Sequence, residues 1–439
     1  MGPLWQMAAR NALAGGRRSI LLVCALAVAA CCMVLVSGLL AGLAARFLEA
    51  GVGLRTGHVN AMGVYRPGPA PVTRMIPDAG GVEEVIRRSI PGVDYVTRRY
   101  LGGATVASDS ATEPVFIYGV DIGTERRLAS ALAEGVPEAP AATVSRLANP
   151  NTVVLFESVA DHLRVRVGDA VTLWSQTAAG ATNSVDVVVV AVADDRGDLT
   201  QGIVYANVAT VRRLFDMPPS SAGSMHLFLH DSGSADSALA DLGDVLAANH
   251  LEVMEYNGAA LRDTWKEAND PHWRGTAIAL STWRDQLRSS SWRLAAGDAI
   301  FAVLFVLLAS LLGAGLTTAM FIAVQQRAVE IGTIRAIGAS RGRVALLFVV
   351  EGTILGGVGS LIGVATGALL VALLNAATIP VASKAFQVVY LASNLVFSFR
   401  VDVGLTIVMG LVVVSGLAAL PPALRAARLM PVEALRVGA

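Results

Sequence analysis

The sequence predicts an α-helical membrane protein with four transmembrane helices plus an inserted α+β extracytoplasmic domain, and three observations carry that prediction. The 439 residues are 54% hydrophobic and only 15% charged, too apolar for an ordinary soluble chain of several domains. Four stretches, residues 19–45, 299–324, 344–374 and 403–424, are long enough to cross a hydrocarbon core of about 30 Å, which takes about 20 apolar residues in a helix. Charge is also sorted along the chain. Residues 46–298 carry 30 Asp and Glu against 22 Lys and Arg, whereas residues 1–18, 325–343 and 425–439 together hold ten Arg against two Glu, with no Lys.

That sorting sets the topology. Short basic flanks stay in the cytoplasm while long loops cross largely regardless of charge. The chain therefore reads as a cytoplasmic amphipathic segment (1–18), a first span (19–45), an extracytoplasmic domain (46–298), a second span (299–324) and a cytoplasmic coupling helix (325–343). A third span (344–374), a short extracytoplasmic loop (375–402), a fourth span (403–424) and a cytoplasmic tail (425–439) follow. A multi-pass protein of the bacterial inner membrane with both termini in the cytoplasm is expected.

Ahead of the first span, Leu4, Trp5, Ala8 and Leu13 mix with Arg10, Arg17 and Arg18, as in a helix lying on the membrane surface with Trp5 at headgroup level. Val28-Ala29-Ala30-Cys31 resembles a lipoprotein cleavage site, but the apolar run continues through Leu39, Leu40 and Leu43, beyond the roughly 7–15 residues of a cleaved signal. An uncleaved anchor is expected. Cys24, Cys31 and Cys32 all lie in this span, so the outer domain has no disulfide to lean on and must fold on its own core. There, β-rich runs at 114–120, 152–156, 165–174, 185–192 and 225–229 alternate with helix-like pieces at 82–89, 159–164 and 208–215. Small sheets with helices packed on them are predicted.

In the third span Gly352, Gly356 and Ser360 form one row at i, i+4, and Gly359, Gly363 and Gly367 form another. Small residues at that spacing let helices approach closely, in a bundle that shifts or in simple packing within one subunit. Glu351 is the only charged residue in this otherwise apolar span, and an intramembrane carboxylate is a functional candidate by default. A shallow carboxylate paired with a nearby Arg is the competing reading.

Several chemistries are excluded or weak. No G-x-x-x-x-G-K-[ST] phosphate loop occurs, so ATP must be hydrolysed by another chain. All six histidines fall between His58 and His272, leaving Ser37, Ser310, Ser360 and Ser415 without a base in the membrane, and no G-x-S-x-G elbow is present. His226 and His230 sit four residues apart along the strand-like run 225–229 and its end, which sets them about 13 Å from each other, too far to share a zinc ion. Asp194, Asp195 and Asp198 lack the spacing of a calcium loop. No resident cofactor or metal is expected.

The most informative segment is 325–343, QQRAVEIGTIRAIGASRGR. Ala328, Ile331, Ile334 and Ile337 recur at helical spacing while Arg327, Glu330 and Arg335 take other faces, with Gly338 to end the helix and Ser340 to cap the next. A cytoplasmic helix with an apolar stripe calls for a protein partner. Arg327, Glu330, Ile331, Gly332, Arg335, Ala336, Gly338, Ala339 and Ser340 resemble the R-x-x-E-I-G-x-x-R-A-x-G-A-S loop of the FtsX/MacB-like (type VII) ABC transporter permeases. Pro422-Ala423-Leu424-Arg425-Ala426-Ala427-Arg428 followed by Pro431-Val432-Glu433-Ala434-Leu435-Arg436 is similar to the C-terminal motif of that family, and Ala9-Arg10-Asn11 with Arg17-Arg18 is a weaker third match. Thr282-Trp283-Arg284-Asp285-Gln286 looks like a segment of the lipoprotein-releasing LolC/LolE group within it.

What the resemblance implies is a permease that pairs with a second copy or a paralogue and docks its inter-span helix on a cytoplasmic ABC ATPase dimer, which binds the ATP and Mg. The ATPase-coupling residues would be Arg327, Glu330, Ile331, Gly332, Ile334, Arg335 and Gly338. Lipoprotein extraction is the first expectation, with a periplasmic lipoprotein carrier downstream; efflux of a peptide or hydrophobic drug, or mechanical activation of a cell-wall hydrolase without transport, remain as alternatives. The expected cargo path leads from the bilayer past Val36, Leu40 and Leu43 of one subunit, opposite Phe301, Phe305 and Leu308 of the other, residues that otherwise simply face lipid. No nucleic-acid partner is implied.

Overall fold

The computed structural model describes residues 16–66, 68, 72–136, 140–177, 179–254, 273–287, 292–381 and 394–428. In chain order the elements are α1 (Gly16–Leu54), β1 (Val59–Arg66), α2 (Ala79–Ser89), β2 (Val93–Ala107), β3 (Thr112–Val120), α3 (Arg126–Ala133), α4 (Pro140–Ser145), β4 (Thr152–Phe156), α5 (Glu157–Leu163), β5 (Ala170–Gln176) and β6 (Thr182–Ala193). They continue with β7 (Ile203–Asn207), α6 (Val208–Phe215), β8 (Ser224–Leu229), α7 (Ala235–Ala248), β9 (Val253–Met254), β10 (Gly275–Thr282), α8 (Trp283–Gln286), α9 (Trp292–Gln326), α10 (Ala328–Ala336), α11 (Arg341–Ala376) and α12 (Val401–Arg428). The chain divides near residues 45/46 and 292/293 into two compact units. The predicted amphipathic start around Trp5 and the motif from Pro431 to Arg436 lie outside the described residues.

In the first unit, α1, α9, α11 and α12 are each long and apolar enough to cross a membrane. The two glycine rows of α11 turn to different neighbours within this one chain. A Cβ at Gly352 would stand 2.7 Å from Ala419 Cβ and one at Gly356 2.6 Å from Ser415 Cβ, both on α12. On the other side, a Cβ at Gly359 would meet Leu26 Cβ at 2.6 Å and one at Gly367 would meet Val34 Cβ at 2.8 Å, while Gly363 lies against the Ala27 carbonyl of α1. The rows therefore serve close packing inside the subunit. Pro422 has no N–H for the Ala418 carbonyl four residues earlier, and Thr317 Oγ1 of α9 donates to that oxygen at 2.8 Å. Across the first span, Gly38 and Gly42 admit the extended segment after Asn394: Ser398 N donates to Gly38 O at 2.9 Å, and Gly42 abuts the Val396 carbonyl.

The second unit is organised by one long strand. The first part of β2 pairs antiparallel with β8, and its second part, from Tyr100 to Ala107, pairs antiparallel with β3. The order β3-β7-β4-β6-β5-β2, with β2 returning to β3, closes a ring of six strands, and β8, β1, β10 and β9 extend it. The small sheets expected from the sequence are joined, because β2 belongs to both. Side-chain alternation sorts the ring strands into two cores. Ile117, Val153, Leu155 and Val204 enter one cluster; Tyr118, Val154, Phe156 and Tyr205 enter the other, which Leu128 and Leu132 of α3 cover. In the second lobe α2 and α7 lay Val82, Ile86, Leu239 and Leu242 on Val59, Leu227 and Ile278.

Most predicted pieces appear with shifted ends. The run 152–156 is β4 and 208–215 is α6, as read, but the strand expected from residue 165 begins only at Ala170, because Arg166 N donates to Asp169 Oδ2 at 2.7 Å and turns the chain. Helix α1 continues to Leu54, past the predicted end of the span at residue 45.

Candidate functional site

The inter-span helix is α10. Arg327 sits at its N-cap, and it ends as a Schellman motif: Gly338, at φ +105°, and Ala339 donate to the carbonyls of Arg335 and Ile334 at 3.0 and 3.2 Å. Ser340 Oγ then accepts from Arg343 N and opens α11. The predicted apolar stripe is split. Ile331 is buried with Val324, Val344, Phe348, Ala423 and Ala426, and Gly332 is buried beside it. Ile334 and Ile337 remain exposed, Ile337 at 83%, together with Glu330; Arg335 is half-buried. One side of α10 is therefore anchored in the bundle, and the other leaves Glu330, Ile334 and Ile337 exposed.

Glu351 of α11 is buried, and Arg327 Nη1 reaches both its carboxylate oxygens at 3.4 Å. The only charge in the third span is thus paired with Arg327 at the N-cap of α10, in keeping with the reading of a carboxylate paired with a nearby Arg; spacing alone did not say which Arg, 24 residues away. The pair borders a cavity of about 370 Å³ that Arg17, Ser19 and Gln326 also line.

The residues expected along a cargo path fall in two groups. Val36, Leu40 and Leu43 are partly buried on α1. Phe301, Phe305 and Leu308 do not form an open face: they pack on the cluster of Met33, Val34, Val371, Ile407 and Leu411 in the same chain, and the Phe305 ring fills the space beside Gly410. The open face of α9 is instead Val303, Leu307 and Leu311, between 58% and 67% exposed. Hydropathy alone could not separate those faces, because α9 is apolar all round.

The outer unit contains a buried polar centre that sequence reasoning missed. Arg99 and Glu125 are both fully buried and form a bidentate pair at 2.6 and 2.8 Å. Arg99 also donates to Leu54 O at 2.9 Å, and Tyr205 Oη donates to the same oxygen at 2.8 Å, so the last carbonyls of α1 are satisfied by the outer domain. Burial pulls the Arg99 guanidinium down, but the adjoining Glu125 carboxylate more than offsets this and holds it above its usual value. Burial raises the Tyr205 hydroxyl. His226 lies on β8 as its alternation predicted, bonded to Ser224 Oγ at 2.9 Å, and burial keeps its ring neutral well below the usual histidine range. The Thr282 to Gln286 segment serves the fold: Thr282 and Asp285 form a capping box around α8, and Arg284 pairs with Asp236 at 2.7 Å.

Against known proteins, residues 19–245, just over half of the chain, match the MacB-like periplasmic core domain, and residues 299–431 match the FtsX-like permease C-terminal region. The chain is 32% identical over 166 residues to the macrolide export ATP-binding/permease protein MacB of Nitrobacter winogradskyi, covering 37% of this chain and 22% of that protein. It is 34% identical over 139 residues to an uncharacterised ABC transporter permease of Methanocaldococcus jannaschii, covering 31% of this chain and 32% of that one. The matched stretches thus span less than a third of either relative. Among solved structures, the extracellular domain of the noncanonic ABC-type transporter YknZ from Gram-positive bacteria aligns at 12% identity over 44% of this chain and 94% of that one, with a TM-score of 0.30. The periplasmic region of MacB from Actinobacillus actinomycetemcomitans aligns at 14% over 54% and 94%, with a TM-score of 0.31.

Proposed function

Because the chain belongs to the permease family that joins a MacB-like periplasmic core domain to an FtsX-like C-terminal region, we propose that it is the membrane subunit of an ABC transporter that lifts lipoproteins out of the bacterial inner membrane, driven by a separate cytoplasmic ATPase dimer. The observation that carries the coupling half of this reading is α10, anchored through Ile331 and offering Glu330, Ile334 and Ile337 outward. Glu330 would make charge-assisted contacts to the ATPase, and losing one such contact at an interface costs about 2–5 kcal/mol. Glu330→Lys should leave the protein in the membrane and abolish transport; a variant that transports fully and still recovers the ATPase on purification removes the docking role.

ATP is needed because each buried CH₂ of an acyl chain holds the cargo in the bilayer by about 0.8 kcal/mol. The cargo would leave sideways, along Val36, Leu40 and Leu43 of one subunit and the exposed Val303, Leu307 and Leu311 face of α9 in its pair. Leu40→Arg should leave ATPase assembly intact and stop release. The deciding measurement is lipoprotein retention in the inner membrane after depletion of this chain. Normal delivery to the outer membrane, with no related permease to compensate, would favour efflux of a peptide or hydrophobic drug, a reading supported by the macrolide exporter that the chain resembles in part. For topology, a cysteine at Ala181 should react with an impermeant reagent outside intact cells and one at Gly332 should not, in a background lacking Cys24, Cys31 and Cys32.

A further inference from the structure

We infer that the membrane unit holds a site for a phospholipid with a primary-amine headgroup, in the cavity where the start of α1 and the end of α9 meet α11. The cavity has a volume of about 370 Å³, and every residue lining it belongs to this unit. Pockets of about 300–1,000 Å³ hold small ligands. This one has room for a headgroup and the start of its chains.

The walls grade from charged to apolar in the same direction on three helices. On α1, Arg17 comes first and Leu22 lies about 8 Å further in; on α9, which ends at the cavity, Met320 precedes Gln326 by about 9 Å. On α11, Glu351 comes one turn before Leu355. Met320 and Leu355 belong to a buried apolar cluster against which Leu22 packs. The charged end lies where the apolar runs stop, since Arg17 is two residues ahead of the first span and Gln326 closes the second. An apolar wall rising from a basic mouth fits an amphiphile with a charged head, and basic pockets between transmembrane helices take phosphate headgroups.

The charges select the head. Arg17 is exposed and has no hydrogen-bond or ion-pair partner among the described residues. It and Arg327 line the cavity, and a guanidinium grips phosphate oxygens with a planar fork of donors. Glu351 is only 4% exposed, and among the described residues it accepts from Arg327 Nη1 alone, at 3.4 Å to each oxygen. A charge-assisted N–H···O bond settles at about 2.7–2.9 Å, and a carboxylate offers about four acceptor positions. The Glu351 carboxylate is therefore short of donors. An ammonium group brings N–H donors and no acceptor. A phosphoethanolamine head thus gives phosphate oxygens to the arginines and N–H groups to Glu351. A phosphocholine head has methyl groups in place of those donors, and a phosphoglycerol head has no cation.

The test uses the full-length chain, purified in mild detergent and given an equimolar mixture of phosphatidylethanolamine, phosphatidylcholine and phosphatidylglycerol, with retained lipid counted by native mass spectrometry. One phosphatidylethanolamine per chain should survive, at least tenfold over either competitor; equal retention of phosphatidylcholine or phosphatidylglycerol overturns the amine assignment. Arg17→Gln should lower total retention at least tenfold, whereas Glu351→Gln should keep phospholipid bound and lose the preference among heads. Arg400→Gln, an exposed position outside the cavity lining, should match wild type. An unchanged melting temperature shows that each variant is folded. Wild-type retention by Arg17→Gln overturns the site, and a preference that persists in Glu351→Gln overturns the contact between ammonium and carboxylate. Soluble O-phosphoethanolamine should fail to displace the lipid at a hundredfold excess; displacement at equal concentration overturns the assignment to a lipid. Binding is read on this chain alone, so the outcome does not depend on which cargo is moved.

Discussion

Each compact unit contains a buried arginine–glutamate pair, and the two are built to different tolerances. In the outer unit Arg99 and Glu125 have no solvent exposure, approach at 2.6 and 2.8 Å, and share their site with the Leu54 carbonyl and Tyr205. In the membrane unit Arg327 meets Glu351 at 3.4 Å, the arginine side chain is 22% exposed, and the pair opens on a cavity. The first arrangement satisfies every charge in a dry environment and therefore allows one geometry. The second is longer, borders a cavity and is sited at the N-cap of α10.

The largest effect expected from breaking this contrast is in the outer pair. Arg99→Leu leaves Glu125 buried without a partner, and such a loss typically costs about 3–5 kcal/mol. Thermal or denaturant unfolding of the whole chain in detergent should show it, and Arg99→Leu/Glu125→Leu should recover most of it. A small effect from the single variant would show that water reaches the site.

Next in size is the acid response of the outer unit. His58 titrates at about 4 in the fold against about 6.5 unfolded, so the unfolded chain takes up the proton first. Stability is complete above about pH 6.5 and is lost as pH falls toward 4, by up to about 3 kcal/mol. His226, also lowered by burial, acts in the same direction. Melting temperatures across this window measure it, and His58→Gln should flatten the slope.

In the membrane unit, Gly363→Val should cost about 1–3 kcal/mol, because the added atoms must displace the Ala27 backbone of α1. Gly315→Ala on α9, where nothing lies within 4 Å of the added carbon, should be nearly silent. A detergent-melting comparison of the two variants tests whether α11 is as closely seated as its glycines imply. Glu351→Gln is expected to have the smallest effect on stability, below about 1 kcal/mol, because glutamine keeps an acceptor for Arg327. Its effect should appear in function, as lowered ATP-driven transport with the ATPase still recovered. Unaltered transport would make the inner pair a structural contact only.

Much of this architecture was legible beforehand because it rests on local chemistry. Apolar length marked the spans, and Gly338 and Ser340 punctuated the segment between α10 and α11 as a Schellman end and a cap do. A β-rich composition found β4, alternation found β8, and a helix-like pattern found α6. The strand β2 was not found, since Arg98, Arg99, Gly102 and Gly103 interrupt its pattern. Arg99 is explained only by its partners, which come from α1, β7 and the residue ahead of α3. The same limit applied to α9: it offers large apolar side chains on every side, and packing alone turned Phe305 inward and Leu311 outward.

By itself the sequence determined that the chain crosses a membrane four times, carries a large α+β insertion and displays a basic, capped helix between its second and third spans, because hydrophobic length, charge sorting and turn chemistry act over neighbouring residues. Only the tertiary structure decided that β2 joins both lobes, that the two glycine rows face two different helices, and that Glu351 belongs to Arg327. Those facts are contacts between residues far apart in the chain, and their energy comes from closure and burial that no local pattern encodes.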